Sequence, residues 1–405
     1  MSRWSGLVSW LAGLAASDFS EAATVYLRAM SIHKKIGVLG GGQLGRMLIQ
    51  EAVNWNLHVS ILDPDANAPC KDIATHFVQG KLTDFDTVYE FGKKTDLLTI
   101  EIEHVNVEAM EKLESEGVEV YPQPRVLRLI QDKGLQKLFY SENKIPTADY
   151  VLVQNKAEIA AHAGGFPFMQ KLRKGGYDGK GVTPLKDPAK LDKAFDAPSV
   201  LEKFVDFKKE ISVIVSRNTK GEVKSYPVVD ILFNPEANLV EFLFSPADVP
   251  AKVEEEAQRI ARAIAEKLEI VGVLAVEMFL TKNDEVLVNE IAPRPHNSGH
   301  QTIEGNYTSQ YEQHLRAILG FPLGSTAIVE PSVMVNLLGE KGFEGEAKYE
   351  GMEAMLAMEG VYVHLYGKMI TKPFRKMGHV TVLAKTLGEA MKKAYFVKEK
   401  LKVKA

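Results

Sequence analysis

Residues 170–182 read Gln-Lys-Leu-Arg-Lys-Gly-Gly-Tyr-Asp-Gly-Lys-Gly-Val, and few folds accommodate such a stretch. Gly175, Gly176, Gly179 and Gly181 fall between two β-like runs, 166–172 and 182–185. Glycine at this density permits positive φ and lets the backbone approach a ligand closely. Successive backbone N–H groups in such a turn form an anion-binding concavity, around which Lys171, Arg173, Lys174 and Lys180 supply positive charge. A polyphosphate is the ligand this suggests. The GxxxxGK[ST] pattern is absent and the flanks read strand–loop–strand, so the stretch is not a Walker loop. A mobile hairpin with a solvated basic tip is the bland alternative, against which Tyr177 and Asp178 argue.

A chain of 405 residues has room for two or three domains. Its net charge of −4 gives no global attraction to nucleic acid or to a membrane surface. Cys70 is the single cysteine, so neither an internal disulfide nor a cysteine metal cluster can form. No apolar run approaches the roughly eighteen residues of a membrane helix. A soluble cytoplasmic protein is expected. Residues 1–31 only weakly imitate a secretory signal, and with Met30 just ahead of the first strand they are expected to be a poorly ordered extension.

The remainder begins as a βαβ unit. A strand at 35–39 runs into Gly40-Gly-Gly-Gln-Leu-Gly45, a helix follows from about 46 to 54, and a second strand over 58–62 ends at Asp63. Gly40, Gly42 and Gly45 form a literal GxGxxG with an acid eighteen residues on, the dinucleotide fingerprint. Taken alone it argues for a nicotinamide-dependent oxidoreductase. The structural alternative is a tight turn with close helix packing. Strands at 97–102 and 118–121 and a helix over 107–116 continue the alternation, which implies a parallel sheet. Asp132 caps a helix that runs to about Asn143.

Later segments read differently. Strands are expected at 200–205, 210–216 and 224–229, and the apolar face of 252–268 marks a long amphipathic helix. Runs 273–280 and 286–291 are joined by a hairpin signal, and each carries one carboxylate, Glu277 and Glu290. One register sets Glu277 opposite Glu290; a loop of odd length sets it opposite Asn289. Buried acids need a partner in either case, and a small oxygen donor set suits Mg²⁺ bridging phosphates. One acid in an ion pair and one at a sheet edge is the alternative. Residues 292–300, with Arg294, His296, Asn297, Ser298 and His300, read as a polar pocket wall. His296 and His300 lack the further ligand that zinc would require. A helix over 309–319, strands at 332–338, 361–365 and 379–384, a cationic bend from Lys368 to Arg375-Lys376 and a helix from Leu387 complete the chain.

Taken together, Gly-Gly-Gln-Leu-Gly-Arg-Met at 41–47, Gly-Gly-Tyr-Asp-Gly-Lys-Gly at 175–181, Pro-Arg-Pro-His-Asn-Ser-Gly-His at 293–300 and Arg-Lys-Met-Gly-His at 375–379 resemble the ATP-grasp superfamily. Within it they resemble the 5-(carboxyamino)imidazole ribonucleotide synthetase family of purine biosynthesis. The resemblance implies a mixed α/β and α+β protein: a Rossmann-like pre-grasp domain over 32–130, an ATP-grasp domain over 131–325 with a glycine-lid subdomain at about 150–205, and a small β-rich domain over 326–405. It implies that ATP and bicarbonate form carboxyphosphate, whose CO2 is captured by the amine of 5-aminoimidazole ribonucleotide.

By the same resemblance, Lys133, Lys171 and Gly175, Gly176, Tyr177, Asp178, Gly179, Lys180 and Gly181 are phosphate-contacting positions. Glu202, Lys203, Phe204, Val205 and Glu210 are base and ribose contacts, and Glu277, Asn289 and Glu290 form the Mg²⁺–phosphate site. Gly42, Gln43, Leu44, Tyr177, Asp178, Arg294, His296, Asn297, Ser298, Lys368 and Arg375 line the ribonucleotide side, with Asp178, Arg294 and Lys368 as catalytic groups. Lys180 stands where an arginine is commoner, and residues 230–233 lack a histidine often found near the nucleotide. A homodimer is expected, and, with the chain ending at Ala405, the following mutase step is expected of a separate protein. The rival readings are a related ligase such as a formate-using glycinamide ribonucleotide transformylase, a non-catalytic nucleotide-binding regulator and, on the 40–45 glycines, the oxidoreductase.

Overall fold

A computed structural model of the chain describes residues 34–176, 181–234, 236 and 239–405, and Lys35–Ala405 form one unit. The expectation for residues 1–31 lies outside the described residues. The first sheet is parallel, in the order His76–Gln79, His58–Asp63, Lys35–Leu39, Leu97–Ile100, Glu119–Val120. Its central strands are buried on both sides, as near-continuous apolar runs require. The chain leaves Lys35–Leu39 toward one edge and later returns to its other side at Leu97–Ile100. Such reversals open a crevice at the carboxyl ends of the strands. The glycine turn after Leu39 and the acid Glu101 after Ile100 therefore meet there.

Helix boundaries follow local chemistry. Asp132 caps Lys133–Glu142, its Oδ1 accepting from the Gly134 and Leu135 amides at 2.8 and 3.3 Å. Ala251–Leu268 buries Val253, Ala257, Ile260, Ala261, Ile264, Ala265 and Leu268 on one face. The strand read at 118–121 is Glu119–Val120, and after it an unforeseen helix, Pro124–Ile130, starts with proline at its first position. Proline suits that position, because its missing N–H would have no intrahelical partner there.

A four-stranded antiparallel sheet, in the order Tyr150–Val153, Ser199–Lys203, Phe168–Leu172, Val182–Leu185, carries the glycine stretch between its last two strands. Gly175 and Gly181 take φ of +78° and +72°, so the positive backbone angles expected there occur at the two ends of the turn.

Among the described residues the largest sheet has nine strands. It runs from Val286–Ala292 through Gly272–Thr281, Phe207–Arg217, Val229–Asn234, Leu239–Ser245, Ser332–Leu338 and Lys376–Leu383 to Val361–Leu365, with Val223–Ser225 beside Phe207–Arg217. The boundary drawn at 325/326 thus lies between strands of one continuous sheet, because Phe242–Ser245 pair with Ser332–Val335. In its last strands Val333, Val335, Val380 and Val382 pack with Ala390, Ala394 and Val397 of the helix Leu387–Lys400. The opposite face carries Asn336 and His379 at paired positions and turns toward residues 296–306.

Candidate active site

The hairpin of Gly272–Thr281 and Val286–Ala292 sets the floor of the cleft. From the loop it pairs Leu280 with Val286, Phe279 with Leu287 and Met278 with Val288. This register would carry Glu277 onto Asn289. A β-bulge at Asn289 advances the strand by one residue, and Glu277 lies opposite Glu290. Alternation normally sends successive side chains to opposite faces, but a bulge re-aims a side chain. Asn289 and Glu290 consequently both reach cations: Asn289 Oδ1 accepts from Lys171 Nζ at 2.9 Å and Glu290 Oε2 from Lys133 Nζ at 2.8 Å.

These lysines come from other elements. Lys133 begins the helix capped by Asp132, and Lys171 lies in the sheet of the glycine stretch. One turn along the same helix, Lys137 pairs with Glu202 at 2.9 Å, while Lys171 bonds the other Glu202 oxygen at 2.7 Å. Burial opposes the charge on Glu202, but Lys171 and Lys137 outweigh it and hold its carboxyl below the ordinary range. Lys137 was missed from sequence, although its spacing of four from Lys133 on a capped helix put both on one face.

Three carboxylates crowd the floor. Lys133, with Lys171 assisting, holds Glu290 well below the usual carboxylate value. Burial, and then the Glu290 and Glu210 charges, push Glu277 up. Burial and Glu290 raise Glu210 to about 7. Like charges placed directly opposite are destabilising, so the pair at 277 and 290 favours any cation that enters between them. The amide oxygen of Asn289 adds a neutral donor of the same hard type. Among the described residues no cluster of three or more histidine, cysteine or acidic ligands forms a metal cage. The donors fit an ion bound mainly by phosphates and one or two carboxylates, as Mg²⁺ is.

Several of the expected site residues have partners within the protein. Arg173 is not free for phosphate: its Nε and Nη2 grip Asp132 at 2.8 and 2.7 Å. Lys203 alternates away from Glu202, donates to the Gly165 carbonyl and lies over the Phe168 ring at 4.8 Å. Ser298 is fully buried and bonds Ser212 Oγ at 2.8 Å and His296 Nδ1 at 2.9 Å, so it supports His296 rather than lining the cleft. Phe204 is exposed, and Val205 is half-buried in the loop that follows Ser199–Lys203. Tyr177, Asp178, Gly179 and Lys180 lie outside the described residues.

On the second side of the cleft, Arg294 Nε meets Glu103 Oε1 at 2.9 Å. His296 Nδ1 stands 3.7 Å from Glu277 Oε1; burial and then Arg294 push its pKa down to about 3, so the ring is neutral. Asn297 exchanges side-chain hydrogen bonds with Asn336. His300 is buried against His379, ring centroids 4.7 Å apart, in a packing rather than a ligating role. Lys368 Nζ donates to Gln43 Oε1 at 2.9 Å and to the Lys376 carbonyl at 2.7 Å. Two motifs 325 residues apart are thereby joined. Leu44 follows Gln43 in the first helical turn, and Arg375 donates to the Ile370 carbonyl at 2.7 Å.

The glycine fingerprint is occupied from within. Glu101 Oε1 and Oε2 accept from the Gly42 and Gly45 amides at 2.8 and 2.6 Å, and Asp63 Oδ2 accepts from Gly41 at 2.6 Å. The amide of Gly42, a residue expected on the ribonucleotide side, is thus already donated to a carboxylate. Asp63, placed by the fingerprint for a ribose, faces its own turn. These contacts engage the glycine amides that a dinucleotide pyrophosphate would otherwise meet.

Three family models match successive parts of the chain. They are the Ribonucleotide synthetase preATP-grasp domain over residues 33–131, the ATP-grasp domain over 138–311 and the Phosphoribosylaminoimidazole carboxylase C-terminal domain over 332–393. The chain is similar to the chloroplastic phosphoribosylaminoimidazole carboxylase of Vigna aconitifolia, 40% identical over 364 residues, covering 87% of this chain and 64% of that protein. It therefore spans just under two thirds of that relative's length. Among solved structures it resembles N5-carboxyaminoimidazole ribonucleotide synthetase from Thermotoga maritima, at 44% identity and a TM-score of 0.84, covering 92% of this chain and 99% of the other. It also resembles the Aspergillus clavatus N5-carboxyaminoimidazole synthase in complex with ADP and 5-aminoimidazole ribonucleotide, at 36% identity and a TM-score of 0.83, covering 91% and 98%.

Proposed function

The chain belongs to the N5-carboxyaminoimidazole ribonucleotide synthetase family of ATP-grasp ligases, and from that membership we propose that it carboxylates 5-aminoimidazole ribonucleotide at the expense of ATP, with bicarbonate as carbon source. A bicarbonate oxygen attacks the γ-phosphorus and ADP leaves, giving carboxyphosphate. Cleavage of its C–O bond yields CO2 and phosphate. The exocyclic amine then attacks CO2, forming an N–C bond and giving up a proton.

The observation that carries this reading is the bulge at Asn289, which gathers Glu277, Asn289 and Glu290 under Lys133 and Lys171. Phosphoryl transfer calls mainly for positioning and charge stabilisation. Lys133 and Lys171 would hold phosphate oxygens, and Glu277 and Glu290 with Asn289 would hold Mg²⁺. When bound, that ion would offset the charge that builds on the phosphates during transfer. Arg294 would hold bicarbonate and then carboxyphosphate, while Lys368 and Arg375 would hold the ribonucleotide. Asp178 would orient or deprotonate the amine. The glycine stretch would exclude water from a hydrolytically fragile intermediate. A homodimer, a cytoplasmic location and onward passage of the carbamate to a rearranging enzyme belong to the same proposal and rest on the family resemblance.

Two substitutions separate the halves of the site. Glu290→Gln keeps the side-chain shape but removes charge from the Mg²⁺–phosphate side, so ADP formation should fail at any ribonucleotide concentration. Arg375→Ala should leave Mg²⁺–ATP binding nearly intact. Losing a charge-assisted hydrogen bond worth about 1.5–3 kcal/mol should raise the KM for the ribonucleotide about ten- to hundredfold. Loss of ATP binding in Arg375→Ala, or an effect of Glu290→Gln confined to the ribonucleotide, would show the site map to be wrong.

A further inference from the structure

The three glycines of the fingerprint make room for one internal side chain. A Cβ at Gly42 would lie 2.3 Å from Glu101 Oε1, one at Gly40 would lie 2.4 Å from Glu101 Cγ, and one at Gly45 would lie 3.3 Å from Glu101 Oε2. Gly40 also has φ of +104°, which only glycine adopts readily. A pattern that elsewhere cradles pyrophosphate here cradles the carboxylate of Glu101, which bonds two of its amides. The carboxylate stands where a bound anion would stand, at the N-terminus of Gln43–Val53. No cap side chain of the helix itself bonds that N-terminus. The first helical residue is Gln43, and its Oε1 receives Lys368 from the far end of the chain.

From this arrangement we infer that Glu101 is a positioning residue for the ribonucleotide side of the cleft. It fixes the turn and the first residue of the helix, and so sets Gln43 where it can hold Lys368. This inference rests on the proposed function only for the identity of the substrate. Glu101 acts through Gln43 and has no part in binding ATP, whose contacts lie on the Lys133, Lys171 and Glu290 side.

The consequence is a coupling that a merely structural role would not produce. Glu101→Gln turns one acceptor oxygen into an NH2 group facing a backbone N–H, which loosens the turn. Gln43→Leu removes the side-chain acceptor that the helix offers Lys368, which keeps its bond to the Lys376 carbonyl, and leaves the turn alone. Each should raise the KM for 5-aminoimidazole ribonucleotide about tenfold, the size of one lost hydrogen bond to a charged group, with the KM for ATP changed less than about twofold. Because both act through the same contact, the double variant should be no worse than the worse single variant. A double-mutant cycle measures this directly.

The experiment is steady-state ADP release by the full chain with Mg²⁺–ATP and bicarbonate saturating and the ribonucleotide varied, then with ATP varied. Should Glu101→Gln fail to fold, Gly42→Ala replaces it in the cycle, because its methyl group would displace the Glu101 carboxylate. A tenfold effect on the ribonucleotide KM that vanishes in the Gln43→Leu background supports the inference. Multiplying effects, or equal losses in the KM for ATP, overturn it while leaving the proposed function standing. A wild-type enzyme indifferent to the ribonucleotide refutes the proposed function and this inference with it.

Discussion

Replacing Glu210 by glutamine should stabilise the protein, and only above a definite pH. Glu210 lies on the strand Phe207–Arg217, and burial followed by the Glu290 charge raises its carboxyl from 4.5 to about 7. One pKa unit corresponds to about 1.4 kcal/mol, so ionising Glu210 costs the folded state up to about 3 kcal/mol. The side chain is only partly buried, and screening by water reduces this to about 1–2 kcal/mol. Below pH 4.5 the group is protonated in both states and costs nothing. Between 4.5 and 7 the unfolded chain releases the proton that the folded chain keeps, so wild-type stability falls as pH rises through that window. Glu210→Gln is neutral throughout and escapes the loss. Its advantage should be close to zero near pH 4.5, grow toward pH 7 and stay level above it. In melts without nucleotide or metal, the variant should gain about 1–3 °C more over wild type near pH 8 than near pH 5. An equal gain at both pH values would refute the assignment of strain to this carboxylate.

Other consequences follow from single contacts. Lys137→Met should cost about 3 kcal/mol or more in thermal or urea unfolding, because it removes one of two cations from Glu202, whose side chain is 6% exposed; a loss under about 1 kcal/mol would show that Lys171 alone satisfies that carboxylate. NADH titrated into the wild-type protein should show no saturable fluorescence change, because Glu101 and Asp63 already occupy the Gly41, Gly42 and Gly45 amides; a micromolar dissociation constant would contradict that.

Elements with a strong period were legible in the sequence. The apolar stripe expected over 252–268 is the helix Ala251–Leu268, and the strands at 332–338 and 361–365 lie where they were read. Local caps were legible too, as Asp132 shows. Short or half-exposed elements were not: His76–Gln79 has a single half-buried residue and no buried one, and Leu239–Ser245 gains its burial from neighbouring strands and from the helix Leu387–Lys400, whose Tyr395 ring lies 4.9 Å from that of Phe242. Positions such as Glu277 and Glu290 stood out because an acid inside an apolar strand has to be accounted for. Their pairing rests on a bulge at Asn289, which the hairpin's loop length does not reveal. Glu101 was invisible for a related reason. Its partners lie 56 and 59 residues earlier, and only the topology of the parallel sheet brings the two strand ends together.

In the proposed reaction a bicarbonate oxygen attacks the γ-phosphate of ATP. Supplying ¹⁸O-bicarbonate with Mg²⁺–ATP and 5-aminoimidazole ribonucleotide, and analysing the released phosphate by mass spectrometry before bicarbonate exchanges with water, tests it directly. Carboxyphosphate breaks between carbon and the bridging oxygen, so each phosphate should carry one ¹⁸O atom, with ADP and carbamate formed in equal amounts. Unlabelled phosphate released together with ADP would mean that water, not bicarbonate, attacks, and would contradict the account.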